Sequence, residues 1–203
     1  SFESSRYDQQ ALSAGATAWK DTMESVGAWA RADWRITAAD RLRGAVRRDE
    51  FSDFAGKTTG ELAYARALGK ELSLHAKVAT AYRAPSANDL AYGTSGGLPL
   101  RPEANTGYEI GLRHEDAVPN ALSWTLTAFR NELSDLIDYN PVDYKTFNVA
   151  KARTQGVELG GEVRPAKGVR LFGAATYLES QALTDYAGIV TAGEPLLRRP
   201  KLV

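Results

Sequence analysis

Apolar and polar residues alternate with period two along most of this chain. In ALSWTLTAFRN (Ala121–Asn131), Leu122, Trp124, Leu126 and Ala128 share one face, while Ser123, Thr125, Thr127, Phe129 and Asn131 share the other. Over Gly156–Arg164, Val157, Leu159, Gly161 and Val163 alternate with Glu158, Gly160, Glu162 and Arg164. Over Ser25–Thr37, Ala28, Ala30, Ala32, Trp34 and Ile36 alternate with Trp29, Arg31, Asp33 and Arg35. Leu42, Gly44 and Val46 alternate with Arg41, Arg43 and Arg47, and Leu72, Leu74, Ala76 and Val78 with Ser73, His75, Lys77 and Ala79. This pattern predicts an all-β chain of antiparallel strands, each covered on one side and wet on the other.

The links between strands narrow the architecture. Those near Ala38–Asp40, Gly69–Glu71, Asp116–Asn120 and Pro165–Lys167 are tight and rich in Asp, Asn, Gly and Pro. Between them come long links, at Arg48–Thr58, Ala84–Ala104, Glu132–Lys145 and Ser180–Glu194. In an up-and-down meander this alternation puts every tight turn at one end and every long loop at the other. Bacterial transmembrane barrels have that asymmetry, whereas Greek-key sandwiches do not impose it. The polar face carries Arg31, Asp33, Arg35, Arg41, Arg43, Lys77, Glu109, Arg113, Glu158 and Glu162. These charges suit a wide lumen holding water or another domain, not the filled interior of a small soluble barrel. The expected fold is an antiparallel transmembrane β-barrel segment of about ten strands. A soluble β-sheet binding module is the alternative from another class.

Composition removes several chemistries. Among 203 residues, 25 Lys and Arg balance 25 Asp and Glu, so no basic excess marks a nucleic-acid binder. There is no cysteine, hence no disulfide framework or thiolate site, and His75 and His114 have no ligand spacing. A mean hydropathy of −0.35 is compatible with a barrel, because only alternate residues meet lipid. No apolar run reaches the roughly 18–20 residues of a spanning helix. The chain opens SFESSRYDQQ without a signal peptide, has Met23 as its one methionine, and stops at PLLRRPKLV in mid-pattern. It is expected to be an internal stretch of a longer polypeptide.

Candidate sites are few. Asp49, Glu50 and Asp53 in one long link, and Asp135, Asp138 and Asp143 in another, could offer oxygens to calcium, but neither has EF-hand spacing. They read as solvated loops. Glu158 and Glu162 lie roughly 13 Å apart along a strand, too far for a glycosidase pair, and ion pairing explains them more simply. Ser134, His114 and Asp116 lack a nucleophile setting, so no enzyme is expected. Trp19, Trp29, Trp34, Tyr64, Tyr82, Trp124 and Tyr177 fall near strand ends, as interfacial girdles do. Tyr92, Tyr139 and Tyr144 lie in long links, where they could seat a flat apolar ligand.

FSDFAGKTT (Phe51–Thr59), AYRAPSANDLAYG (Ala81–Gly93) and RPEANTGYEIGLR (Arg101–Arg113) resemble segments of the TonB-dependent outer-membrane receptors. Pro85 forces Ala84 out of the helical region and cannot donate to a ladder, a suitable strand end before a long loop. FRNELSDLIDYNPVDYKTFNVAKARTQGVELGGE (Phe129–Glu162) and EPLLRRPK (Glu194–Lys201) are most similar to the cobalamin-transporting branch of that family. The resemblance implies a location in the outer membrane as part of a barrel of about 22 strands. Residues 1–203 would form a stretch of that barrel, left open, without the plug domain, the TonB box and the closing C-terminal strands. It also implies active transport of cobalamin (vitamin B12), with a ferric siderophore or haem as the alternative cargo. The implied partners are the TonB complex, the small-molecule ligand and outer-membrane lipid, with no nucleic acid and no cofactor. One ligand contact carries over: Arg198, the first arginine of PLLRR, whose guanidinium suits the amide and phosphate groups of a corrinoid.

Overall fold

The computed structural model describes residues 2–13, 16–52, 56–86, 88–89, 100–115, 122–140, 144–166, 168–185 and 191–196. Side chains are described from Glu24 onward, apart from those of residues 149 and 150. The described residues form nine strands: β1 (Phe2–Ser13), β2 (Ala16–Arg35), β3 (Asp40–Phe51), β4 (Lys57–Ala67), β5 (Leu72–Arg83), β6 (Glu103–His114), β7 (Leu122–Asn140), β8 (Lys145–Ala166) and β9 (Val169–Ala182). They make one antiparallel sheet in strict sequence order, β1 through β9, and β1 does not pair with β9. Among the described residues the meander is therefore open, as expected, with nine strands against the about ten read from the sequence and an edge at each side.

Register aligns the predicted faces across the whole sheet. Trp34 stands opposite Leu42 and Leu42 opposite Tyr64. Leu62 meets Val78, Ala76 meets Ile110, and Leu112 meets Leu126. Leu126 then meets Leu159, and Leu159 meets Ala175. This face has no cover: Ile110 is 54% exposed, Leu62 50% and Leu159 51%. A continuous apolar band with no protein against it is the outer surface of a membrane barrel. Trp34, Tyr64 and Trp124 lie on it near the tight turns, and Trp124 stacks on His114 at 5.9 Å. Tyr108 and Tyr177 lie on it towards the loops. Trp29, expected in the girdle, stands opposite Arg47 on the polar face instead. The side chain of Trp19 is outside the described residues.

On the polar face the charges meet by register. Asp33 accepts from Arg31 and Arg43, each at 2.8 Å, and Lys77 reaches Glu109 at 2.9 Å. Glu162 holds Arg164 at 2.8 Å and Arg170 at 3.1 Å. Arg153 alternates onto the opposite face of β8 from Glu158.

The loops differ most from expectation. β7 and β8 run to 19 and 22 residues, against the 9–11 or so that span a bilayer, so most of the link expected at Glu132–Lys145 is strand. β2 likewise starts at Ala16 and pairs with β1 well beyond the top of β3. Above the membrane no lipid selects an apolar face. The backbone ladder continues there while the alternation that reveals a strand fades.

Candidate functional site

Buried residues gather at the loop end of the sheet. Phe147 is 2% exposed, and Thr146, Asn140, Ala152, Ala182 and Asp49 are buried with it, as are Pro85 and Pro102. The barrel wall has no comparable interior, so the packed part of this chain is the base of its loops.

Three elements meet there. β7 and β8 continue as a hairpin past their pairing with β6 and β9, from Leu136↔Val149 to Asn140↔Lys145. At the strand rise this projects about 20 Å. Beside the hairpin lie the described ends of the link from β5 to β6, each pinned by an arginine. The Arg83 guanidinium donates to both oxygens of Glu103, at 2.7 and 2.8 Å, and to Asp89 at 2.9 Å. Asp89 also accepts from the Ser86 N–H and hydroxyl, both at 2.8 Å. Glu103 in turn accepts from the Ile137 N–H at 2.8 Å, and the Asp89 carbonyl accepts from the Thr146 hydroxyl at 2.7 Å. At the other end of the link, Arg101 donates to Asp135 at 2.9 and 2.6 Å. Asn148 bridges the Arg101 backbone and the Asp135 carbonyl. Asp135 adopts φ 56°, a left-handed conformation that an Asp tolerates.

Burial alone would raise the pKa of Asp89. The Ser86 donors and the Arg83 guanidinium outweigh it and hold the carboxyl below its ordinary 3.8. The carboxylate is thus a charged bolt between loop and strand at neutral pH.

The hairpin tip is aromatic. Tyr139 and Tyr144 meet edge to face at 6.4 Å, and Tyr144 is 69% exposed with φ 59°, unusual for a bulky residue. Such a pair offers a ring surface above the membrane.

The other expected sites resolve differently. Asp49 pairs with Arg47 and Glu50 with Arg48, both at 2.7 Å, Asp135 pairs with Arg101, and Asp138 caps the Tyr139 N–H. Among the described residues no group of three His, Asp or Glu is placed to hold a metal ion. Asp53, Asp143 and Tyr92 lie outside the described residues, and so does Arg198. Sequence reasoning missed the anchors Arg83, Asp89, Glu103, Arg101 and Asn148. Only the Arg-Ala-Pro-Ser motif hinted at them, because their partners lie as far as 57 residues away in the chain.

Over residues 2–203 the chain matches the family described as TonB dependent receptor-like, beta-barrel. It is 32% identical over 134 residues to the vitamin B12 transporter BtuB of Photobacterium profundum, a match covering 63% of this chain and 21% of that protein. The sheet also follows the fold of the ferripyoverdine receptor of Pseudomonas aeruginosa (TM-score 0.70, 19% identity, 93% of this chain and 26% of that one). The siderophore receptor PirA of Acinetobacter baumannii is similar in the same way (TM-score 0.69, 18% identity, 99% of this chain and 35% of that one). At these identities the two structures speak for the fold alone. The chain spans about a fifth of the length of the curated relative it matches.

Proposed function

The chain belongs to the TonB-dependent outer-membrane receptors, and from that premise we propose that it is a stretch of barrel from an importer of cobalamin. The observation that carries the cargo is the 32% identity to a protein named as a vitamin B12 transporter. The likeness to siderophore receptors rests on fold and does not move the reading towards iron.

In this reading residues 1–203 contribute wall and rim. The apolar face meets lipid, and the charged face lines a lumen filled by a plug that lies elsewhere in the polypeptide. The projecting β7–β8 hairpin presents Tyr139 and Tyr144 to the outside, where flat rings can meet a corrin face. The anchored β5–β6 link stiffens the rim, which lowers the ordering cost of ligand capture. Arg198 would donate to the corrinoid periphery. The TonB complex, engaging the plug side, would supply the energy for release inwards. Nothing in the reading calls for catalysis.

The test is cyanocobalamin binding to the full-length parent receptor in detergent, wild type against Arg198→Ala. Tight binding, weakened about tenfold or more by loss of a charged donor, supports both cargo and residue. Tight binding unaffected by the substitution removes Arg198 alone. No binding removes cobalamin, and a ferric siderophore or haem becomes the cargo to try.

A further inference from the structure

Towards the loops, the lipid-facing side of the sheet changes character within one cross-strand row. Ile110, Ala128, Val157 and Tyr177 form the last apolar row, and the row above it reads Tyr108, Arg130, Gln155 and Glu179. The next row up is Thr106, Glu132, Arg153 and Gln181. These polar side chains therefore stand outside the wall, at the height where acyl chains give way to headgroups. A cavity of about 260 Å³ lies among them, lined by Arg153, Gln155, Glu179 and Gln181, with Gly193 and Pro195 completing the lining. The segment carrying Gly193 is tied to the end of β9. Gly193 donates to the Ala182 carbonyl and Ala182 to the Glu194 carbonyl, both at 2.9 Å, and the Gln181 amide donates to the Gly193 carbonyl at 3.3 Å. Within this cavity the Arg153 Nε is buried without a hydrogen-bond partner. Every carboxylate around it is accounted for. Glu132, directly opposite, is taken by Arg130, Glu179 accepts from Tyr177 and Gln155, and Asp185 accepts from the Ala192 N–H. Glu194 is exposed and forms no ion pair with Arg153 among the described residues. Lys151, one row higher on the same face and opposite Ser134, adds a second cation. A donor withdrawn from water is costly unless something supplies an acceptor. Below the cavity the same two strands leave a furrow in the apolar face: Leu159 stands opposite Ala175 and Gly161 opposite Gly173, and a Cβ on Gly173 would meet nothing within 4 Å.

We propose that the lipid-facing side of β8 and β9 is a binding site for one outer-leaflet lipid with a phosphorylated sugar headgroup. Arg153 takes the phosphate through charge-assisted hydrogen bonds. Gln155, Gln181 and Glu179 take the sugar hydroxyls, which both donate and accept. A carboxylate beside the cation suits such hydroxyls and disfavours a headgroup made of phosphate alone. The acyl chains run down past Val157 and Tyr177 into the furrow over Gly161 and Gly173. A soluble sugar phosphate shares the headgroup chemistry but has nothing to lay in that furrow. Arg130 stands one row lower on the same face and is neutralised by Glu132, so a general attraction of headgroups to cations does not single out Arg153. The site needs the apolar face to meet lipid and is independent of the cargo.

Native mass spectrometry of the full-length parent receptor, delipidated in detergent, tests the site with two probes. Lipid A carries phosphates on a sugar headgroup, and phosphatidylglycerol carries a phosphate without a sugar. The wild type is expected to retain one lipid A in preference to phosphatidylglycerol. Arg153→Gln should weaken that binding about tenfold or more, as loss of a charged donor does, while Arg130→Gln leaves it within about twofold. Equal binding of lipid A by wild type and Arg153→Gln, or an equal loss in Arg130→Gln, would overturn the proposal. Phosphatidylglycerol held as tightly as lipid A would overturn the headgroup assigned. A second measurement needs no substitution. Hydrogen exchange of the wild-type amides in 191–196, which flank the cavity, should slow on adding lipid A and not on adding phosphatidylglycerol. No change with lipid A, or the same change with both lipids, would overturn the assignment.

Discussion

Arg83 does more than any other described side chain to tie the rim together. It fills three acceptor positions on two carboxylates, and both carboxylates also hold backbone of neighbouring elements. Replacing it with alanine leaves Glu103 and Asp89, only 14% and 17% exposed, facing each other without a cation. The expected loss is about 1–2 kcal/mol of local stability, between the values of exposed and buried pairs. It should be read as faster protease cleavage within 84–102 while the barrel itself remains folded. The pH dependence has a definite sign. Because the folded pKa of Asp89 lies below 3.8, its contribution is whole above that value and is lost as pH falls through the folded pKa. Protease access to this link should therefore be flat from neutral down to about pH 5 and rise only below pH 4 or so. A rise centred near neutral pH would assign the anchor to another group.

At the scale of the strand, the two faces make opposite demands on one side-chain type. Leu126 sits mid-row on the apolar face, between Leu112 and Leu159, while Thr127 next to it points to the polar face between Gly111 and Glu158. Leu126→Arg puts a cation towards lipid and is expected to cost about 2–4 kcal/mol at mid-depth. Thr127→Arg, beside Glu158, is expected to cost under about 1 kcal/mol by the same depth logic. Folding titrations of the parent receptor into lipid vesicles measure both. Equal costs would mean that the faces are assigned wrongly. The long strands obey a different logic: beyond the bilayer, β7 and β8 persist on ladder bonds and on buried Phe147 and Thr146.

At the scale of the whole sheet, the linear order β1 through β9 leaves, among the described residues, two unpaired edges and a bare apolar face. A sheet of this kind in water pairs edge to edge or aggregates. Residues 1–203 expressed alone should be recovered as detergent-dependent oligomers. A monomer by light scattering in plain buffer would contradict the lipid-facing assignment. In the proposed parent barrel the same edges would be satisfied by neighbouring strands, and the apolar band by lipid. In the proposed reading, uptake belongs to a larger assembly, to which this stretch contributes wall, charged lining and rim.

Period-two alternation in segments such as Leu122–Ala128 and Val157–Val163 was enough to determine strands and faces, and the alternation of tight and long links with the charged face pointed to a membrane barrel. Lipid on one side and water on the other force that pattern into any spanning strand. The Arg-Ala-Pro-Ser and later motifs carried the family. The sequence did not disclose the reach of β2, β7 and β8, because hydrogen-bonded backbone outside the bilayer leaves no apolar signature. Nor did it disclose that Arg83 binds Glu103 and Asp89, that Arg101 binds Asp135, or that Arg153 opposes Gln181. Those pairings depend on register between distant segments, and register is decided only when all nine strands close their ladders together.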